Sequence, residues 1–323
     1  MSPATANPAV KTTRAARLQS YGGAEAVRVD DVSLPEPKAG EVLVKIHAAG
    51  VNPVDWKIRT GYLQQHMPLQ LPVTLGGDFA GVIEAVGPEV KDFKLDDEVY
   101  GGAGLFNGGS GSFAQFATTK VDSIAAKPRK VNFTEAGALP LVGVSALQAL
   151  TEHLHLANGQ KILIHGGAGG IGGIAIQIAK HLGAYVATTV STKNVDYVKL
   201  LGADQVIDYK KQNFEEAVSG FDAVLDLVGG DTYVRSFKVL KKGGRIVSLL
   251  EQPREELRKQ YGVEASVMFT QITTQRLAYL AKLVDQGDVK VHIDKIFPLD
   301  QASAALLYVE KESPKGKVVV KVA

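Results

Sequence analysis

Apolar positions follow two patterns along this chain. In the first part they come in short strand-like runs cut by glycine and proline. Residues 15–32 have strand character, residues 41–49 alternate with Val42, Val44 and Ile46 on one face, and Pro35, Pro37 and Gly40 mark the turn between them. Runs at 78–87, 97–100 and 113–119 continue the series, which predicts a compact antiparallel β domain. Among them, residues 52–62 predict a turn and a short helix rich in polar groups. Residues 101–111, with Gly104, Gly108 and Gly109, predict a loop that is mobile by composition.

Around residues 136–150 the texture changes to small and apolar helical residues, and Asn132, Thr134 and Glu135 are placed to cap the helix holding Ala136 and Ala138. Residues 161–165 are an apolar run fit for a buried parallel strand, while Ile171, Ile174, Ala175, Ile178, Ala179 and Leu182 share one face of a helix. Strand-like runs at 185–190, 204–208, 222–227, 244–249 and 264–269, most of them separated by helical stretches, predict a doubly wound parallel sheet. A helix at 273–286, with Leu277, Leu280, Ala281 and Val284 on one face, leads to a strand at 290–297, a helix at 299–312 and a last β run at 316–322. The parallel sheet already has its six strands, so this last run is assigned to the first domain. That domain is then discontinuous, residues 1–138 and 271–323, around a second domain at 139–270.

Between the first parallel strand and its helix stands Gly167-x-Gly169-x-x-Gly172. The spacing is that of a dinucleotide turn. One glycine makes the tight turn, one lets a pyrophosphate reach the backbone, and one lets helix and strand pack closely. The anion then sits on the helix N-terminus, where free N–H groups and the helix dipole favour negative charge.

A chain of 323 residues suits two domains, and its net charge of +2, with both signs interspersed, argues against a nucleic-acid surface. No apolar run is long enough to cross a bilayer, and residues 1–8 lack the apolar core of a secretory signal and read as a short disordered leader. There is no cysteine, which excludes disulfides and thiolate metal sites and fits a reducing, cytoplasmic setting. His153 and His155, two apart, do not share a helix face and read as solvated or core histidines rather than metal ligands.

Several segments in order carry a family likeness: Ala48-Ala49-Gly50-Val51-Asn52-Pro53-Val54-Asp55, Leu75-Gly76-Gly77-Asp78-Phe79-Ala80-Gly81, Asp97-Glu98-Val99-Tyr100-Gly101, Leu139-Pro140-Leu141-Val142-Gly143-Val144-Ser145-Ala146, the Gly167 turn, Leu201-Gly202-Ala203-Asp204 and Gly316-Lys317. In these the sequence resembles the zinc-independent medium-chain dehydrogenase/reductases of the quinone oxidoreductase and alkenal/enone reductase type, over nearly its whole length. The resemblance implies an α/β chain with a Rossmann doubly wound parallel sheet plus a GroES-like β domain, a substrate cleft between them, and a homodimer. Zinc-dependent relatives carry a cysteine where this chain has Asn52 and a histidine-glutamate pair where it has Gly77 and Asp78, so no metal is expected.

The end of the second parallel strand, where NAD-binding domains place an acid for the ribose hydroxyls, reads Thr189-Val190-Ser191-Thr192-Lys193. A carboxylate there would repel a 2'-phosphate, whereas Ser191, Thr192 and Lys193 offer donors and a positive charge, which points to NADPH. The resemblance adds Tyr209 beside that phosphate, and extends the cofactor-binding set to Ser145, Gly167, Ala168, Gly169, Gly170, Ile171, Gly172, Val228 and Leu249. Without a metal to polarise an alcohol, the consistent reaction is hydride transfer from NADPH to a quinone or to an α,β-unsaturated carbonyl. Asn52 is the first candidate for an oxyanion donor, by its motif match. Tyr62 is the second, as a ring that could stack on or protonate the acceptor, and Asp55 is either a site acid or a helix cap. Two other readings stay open: a non-catalytic NADPH-binding protein of the same fold, and an alcohol dehydrogenase.

Overall fold

The computed structural model describes residues 12–65 and 68–323, so the expected leader at 1–8 lies outside the described residues. The chain opens with β1 (Thr12–Leu18), β2 (Val27–Ser33), β3 (Glu41–Val51), the short helix α1 (Pro53–Arg59), β4 (Val73–Thr74), β5 (Asp78–Val86), β6 (Glu98–Gly102), β7 (Phe116–Lys120), β8 (Ile124–Ala126) and α2 (Phe133–Gly137). Helix α2 starts from a reciprocal cap: the Asn132 side chain accepts from the Glu135 N–H, and the Glu135 carboxylate accepts from the Asn132 N–H, both at 3.0 Å. The glycine-rich stretch at 101–111 is not loop throughout. Gly101 and Gly102 belong to β6, and backbone bonds from Ala103 N to Gly77 O and from Gly111 N to Ala103 O pin its two ends.

The second unit contains α3 (Pro140–Gln148), β9 (Lys161–His165), α4 (Gly170–His181), β10 (Tyr185–Val190), α5 (Val195–Leu200), β11 (Gln205–Asp208), α6 (Phe214–Ala217), β12 (Phe221–Asp226), α7 (Gly230–Ser236), β13 (Leu240–Ser248), α8 (Glu255–Tyr261) and β14 (Glu264–Val267). Its six strands pair in parallel throughout, in the order β11-β10-β9-β12-β13-β14. Helices cover both faces of such a sheet, which is why β9 and β12 are near-continuous apolar runs. Leu163, Ala187, Val224, Phe237 and Ile246 form its core.

After α9 (Thr274–Gln286) come β15 (Ile293–Pro298), α10 (Ala302–Lys311) and β16 (Lys317–Lys321). Strand β16 lies antiparallel to β3, with Val319 opposite Gly50, so the C-terminal run does complete the first unit. That unit holds a seven-stranded sheet, β15-β16-β3-β5-β6-β8 with β7 also on β3, and a three-stranded one, β2-β1-β4. The sheet is not purely antiparallel as expected, because β15 and β16 run parallel through the intervening α10. Val44, Ile46, Phe79, Ile83, Val318, Val320 and Leu306 share its core.

The chain therefore divides into one unit made of the residues up to Leu141, Ile272–Asp285 and His292–Ala323, and another made of Val142–Gln271 and Gln286–Val291. The last of these segments departs from the boundaries read from sequence, and side chains on α4 explain it. The Gln177 amide donates to Lys290 O and accepts from Lys290 N, both at 2.9 Å, and His181 lies 3.1 Å from Asp288. Among the described residues no helix is long and apolar enough to cross a membrane. Because α10 contributes Leu306 to the first unit's core with no exposed surface, Leu306→Ala should cost that unit about 2–5 kcal/mol, read from its denaturant unfolding transition.

Candidate functional site

Strand β9 ends at His165, Gly166 turns the chain at φ +74°, and Gly169 opens α4 as its N-cap. The three motif glycines differ in what requires them. A Cβ on Gly167 would stand 2.0 Å from Thr188 Oγ1, and one on Gly172 would stand 2.3 Å from Gly166 O, so the fold itself excludes side chains at both. A Cβ on Gly169 would meet nothing closer than Gly166 O at 3.5 Å, an ordinary contact. The bare backbone at Gly169 thus serves no packing need of the chain. It leaves room for an anion at the start of a twelve-residue helix whose first N–H groups lack intrahelical acceptors. Ala168 is buried within the turn, while Gly170 and Ile171 are half-buried on the first turn of the helix.

Directly beneath the turn, His165 is fully buried, with Nδ1 3.0 Å from Thr189 Oγ1 and Nε2 2.9 Å from Ser236 Oγ. Burial pushes its pKa down to about 3, so the ring is neutral and ties β9 to β10 and α7. A second tie joins the ends of β12 and β13. Asp226, fully buried, accepts from the N–H groups of Val228 and Gly229 and from Ser248 Oγ, and Ser248 Oγ in turn accepts from the N–H groups of Leu250 and Glu251. These bonds shape the two loops that carry Val228, which is exposed, and Leu249, which is half-buried. His165, Asp226 and Ser248 were not singled out from the sequence; the available signal was a polar residue closing an otherwise apolar parallel strand. Ser145, on α3, is buried with its Oγ 2.6 Å from Thr270 Oγ1.

At the end of β10, Ser191 begins a tight turn through Thr192 and the exposed Lys193 before α5. Tyr209 lies alongside, its N–H bonded to Val190 O at 3.1 Å and its side chain 58% exposed. The Thr192 hydroxyl donates to Asp208 Oδ2 at 2.7 Å, an acid from the neighbouring strand that the sequence reading did not consider.

In the first unit the structure brings Asn52 and Asp55 together with Asp78 and Lys317, all four buried. Asn52 precedes α1, and its N–H donates to Asp55 Oδ2 at 2.7 Å, so Asp55 does cap the helix. The Asn52 amide is engaged at both ends: Nδ2 donates to Asp78 Oδ2 at 2.8 Å and Oδ1 accepts from Lys317 Nζ. Lys317 also donates to Val51 O at 2.8 Å and lies 3.9 Å from Asp78, whose other oxygen accepts from Leu141 N. Burial pushes Asp55 up to about 7, and pushes Asp78 up to about 6 against the pull of Lys317; it also pushes the lysine down. Two carboxylates facing one ammonium would leave an uncompensated buried charge, which a single retained proton removes. Tyr62 does not join this group: it is 71% exposed, with Lys57 Nζ 5.6 Å from its ring centre. Among the described residues no group of three or more His, Cys, Asp or Glu side chains could hold a metal ion.

A parallel six-stranded sheet with a dinucleotide turn after its first strand, joined in one chain to a β domain closed by the C-terminal strand, defines a two-domain dinucleotide-dependent dehydrogenase or reductase. Residues 38–129 match the alcohol dehydrogenase GroES-like domain family, and residues 201–320 match the zinc-binding dehydrogenase family. The chain is 37% identical over 316 residues to a 2-methylene-furan-3-one reductase of Solanum lycopersicum, covering 93% of this chain and 76% of that protein. It is 34% identical over 322 residues to a chloroplastic NADPH-dependent alkenal/one oxidoreductase of Arabidopsis thaliana, covering 96% and 80%. The solved quinone oxidoreductase of Coxiella burnetii superposes with a TM-score of 0.89 at 35% identity, over 97% of this chain and all of that one. The chain belongs to the medium-chain dehydrogenase/reductase family, among its zinc-independent quinone and alkenal/enone reductases.

The glycines should separate by experiment. Gly172→Ala should lower the thermal midpoint, whereas Gly169→Ala should leave it in place and weaken dinucleotide binding by about tenfold, checked by melting and by fluorescence titration. The buried acids predict a pH effect on stability. An unfolded aspartate titrates near 3.8 and Asp55 near 7, so the folded state holds an extra proton between those values. Asp55 therefore contributes stability that is fully present below about pH 4 and lost as the pH rises through about 7. Asp55→Asn, which can still accept from Asn52 N, should flatten this decline by on the order of 1–3 kcal/mol, measured by unfolding at several pH values.

Proposed function

We infer that the protein is an NADPH-dependent, zinc-independent oxidoreductase that reduces quinones or α,β-unsaturated carbonyl compounds. The observation that carries this reading is Gly169, whose missing side chain the fold does not require, at the mouth of a helix in the position where a pyrophosphate would seat. NADPH supplies the hydride. The chain's own part is to hold the cofactor, to place the acceptor, and to stabilise the oxyanion left when the acceptor is reduced.

The N-terminus of α4, through Gly167, Ala168, Gly169, Gly170, Ile171 and Gly172, would hold the pyrophosphate, and Ser191, Thr192, Lys193 and Tyr209 would surround the 2'-phosphate. Ser145, Val228 and Leu249 would line the rest of the cofactor. Asn52 would donate to the oxyanion. Its amide is held between Asp78 and Lys317, and the buried ammonium on Oδ1 polarises the group so that its remaining N–H is a stronger donor. Asp55 supports this role by fixing the backbone at Asn52, and Tyr62 offers an exposed ring for the acceptor to stack on.

The assembly proposed is a homodimer. In support, β14 is an edge strand of the parallel sheet, and Phe269, 75% exposed, follows it. A cysteine-free chain suits a reducing compartment, which supports a cytoplasmic location.

The test is NADPH oxidation against a panel of quinones and enones. Turnover with members of either class is expected, and NADPH binding without turnover of any would favour a non-catalytic role. Oxidation of simple alcohols with NADP⁺ and no activity on the panel would favour an alcohol dehydrogenase. In the same assay Lys193→Ala should raise the NADPH concentration needed by about tenfold or more and change the NADH requirement little, since only the former carries the 2'-phosphate.

A further inference from the structure

The acid that dinucleotide-binding domains carry at the end of the second strand is missing here, but the structure supplies one from the next strand. Asp208 ends β11, in register with Val190 at the end of β10. It is buried, and its Oδ2 accepts from the Thr192 hydroxyl at 2.7 Å while its Oδ1 accepts from Lys210 N at 3.1 Å. The Thr192 bond holds its carboxyl below the ordinary aspartate value, so it is ionised at neutral pH. Lys211 Nζ, 3.6 Å away on a largely exposed side chain, offsets part of that charge, and Lys193 stands exposed on the turn.

Two consequences follow for an anion on this turn. A hydroxyl has one proton to give, and that of Thr192 is already given to Asp208, so of the turn's two hydroxyls only Ser191 is left as a donor toward a phosphate. A fixed negative charge also lies one strand spacing from the turn, where it opposes a 2'-phosphate and leaves a ribose hydroxyl unopposed.

We propose that Asp208 sets the strength of this enzyme's preference for NADPH over NADH, holding it below what Ser191, Lys193 and Tyr209 would produce alone. The inference rests on the reading of this turn as the seat of the 2'-phosphate. Asp208 acts as a restraint on specificity, and it does so while fixing the shape of the turn through Thr192. The two roles can be separated, because an asparagine with its oxygen toward Thr192 keeps the bond that shapes the turn while losing the charge, and gives up only the acceptor for Lys210 N.

The experiment titrates the parent, Asp208→Asn and Thr192→Val with adenosine 2',5'-bisphosphate and with 5'-AMP, which differ at the 2'-phosphate, at low and high salt. For Asp208→Asn the ratio of the two affinities should rise by about three- to tenfold in favour of the bisphosphate, and the gain should shrink in high salt. Thr192→Val should alter both affinities by the same factor, since its hydroxyl is spent on Asp208. An unchanged or reduced ratio in a folded Asp208→Asn protein that still binds 5'-AMP overturns the proposal. So does a loss confined to the bisphosphate in Thr192→Val, which would show the hydroxyl reading the phosphate. A parent with no preference, together with an Asp208→Asn protein that has one, supports the restraint while counting against NADPH as the preferred cofactor.

Discussion

Burying the ammonium of Lys317 ties three distant stretches of chain into one domain. A lysine in an apolar interior is tolerated only where carboxylates and carbonyls replace the water it has lost, and here these come from Val51, Asn52 and Asp78. Lys317 is the first residue of β16, Asn52 follows β3, and Asp78 opens β5. Satisfying one cation therefore sets the C-terminal strand against β3 and holds β5 beside it, in the register that puts Val319 opposite Gly50. The same contacts orient the Asn52 amide. In this unit the stability of the fold and the placement of the candidate oxyanion donor rest on one set of bonds.

The parallel sheet obeys a related constraint. Each of its strands ends where the chain must leave an apolar interior, and the polar groups at those ends need partners. His165 finds them in Thr189 and Ser236, Asp226 in Ser248 and two backbone N–H groups, and Asp208 in Thr192. Apart from the two N–H groups just beyond Asp226, each pairing crosses between elements, so the loops beyond the strands are held relative to one another. A binding edge built in this way is preorganised by groups that need not touch the ligand.

Much of this was legible beforehand. The change from short glycine-cut runs to alternating strands and helices marked two architectures, because the periods of strand and helix burial differ and leave distinct traces in composition. The return of the C-terminal strand followed from counting the strands of the parallel sheet. Asn132 and Glu135 could be read as a cap because their partners lie three residues apart. By contrast, the assignment of residues 286–291 depended on Gln177, more than a hundred residues earlier in the chain.

Local order, the glycine turn and the kinds of element are thus properties of the sequence, since they arise from contacts within a few residues and from periodicities that neighbours share. Tertiary structure alone decided which polar groups from different elements meet. Lys317 lies 265 residues from Asn52, and Asp208 lies 16 from Thr192 on an adjacent strand. It also decided which glycines the fold needs, because Gly167 and Gly172 are crowded by Thr188 and Gly166 while Gly169 is not, a difference invisible in a motif that spells all three alike. The physical reason is the same in each case. Close approach and charge compensation act through space at a few ångströms, and only the folded chain says what lies within that range.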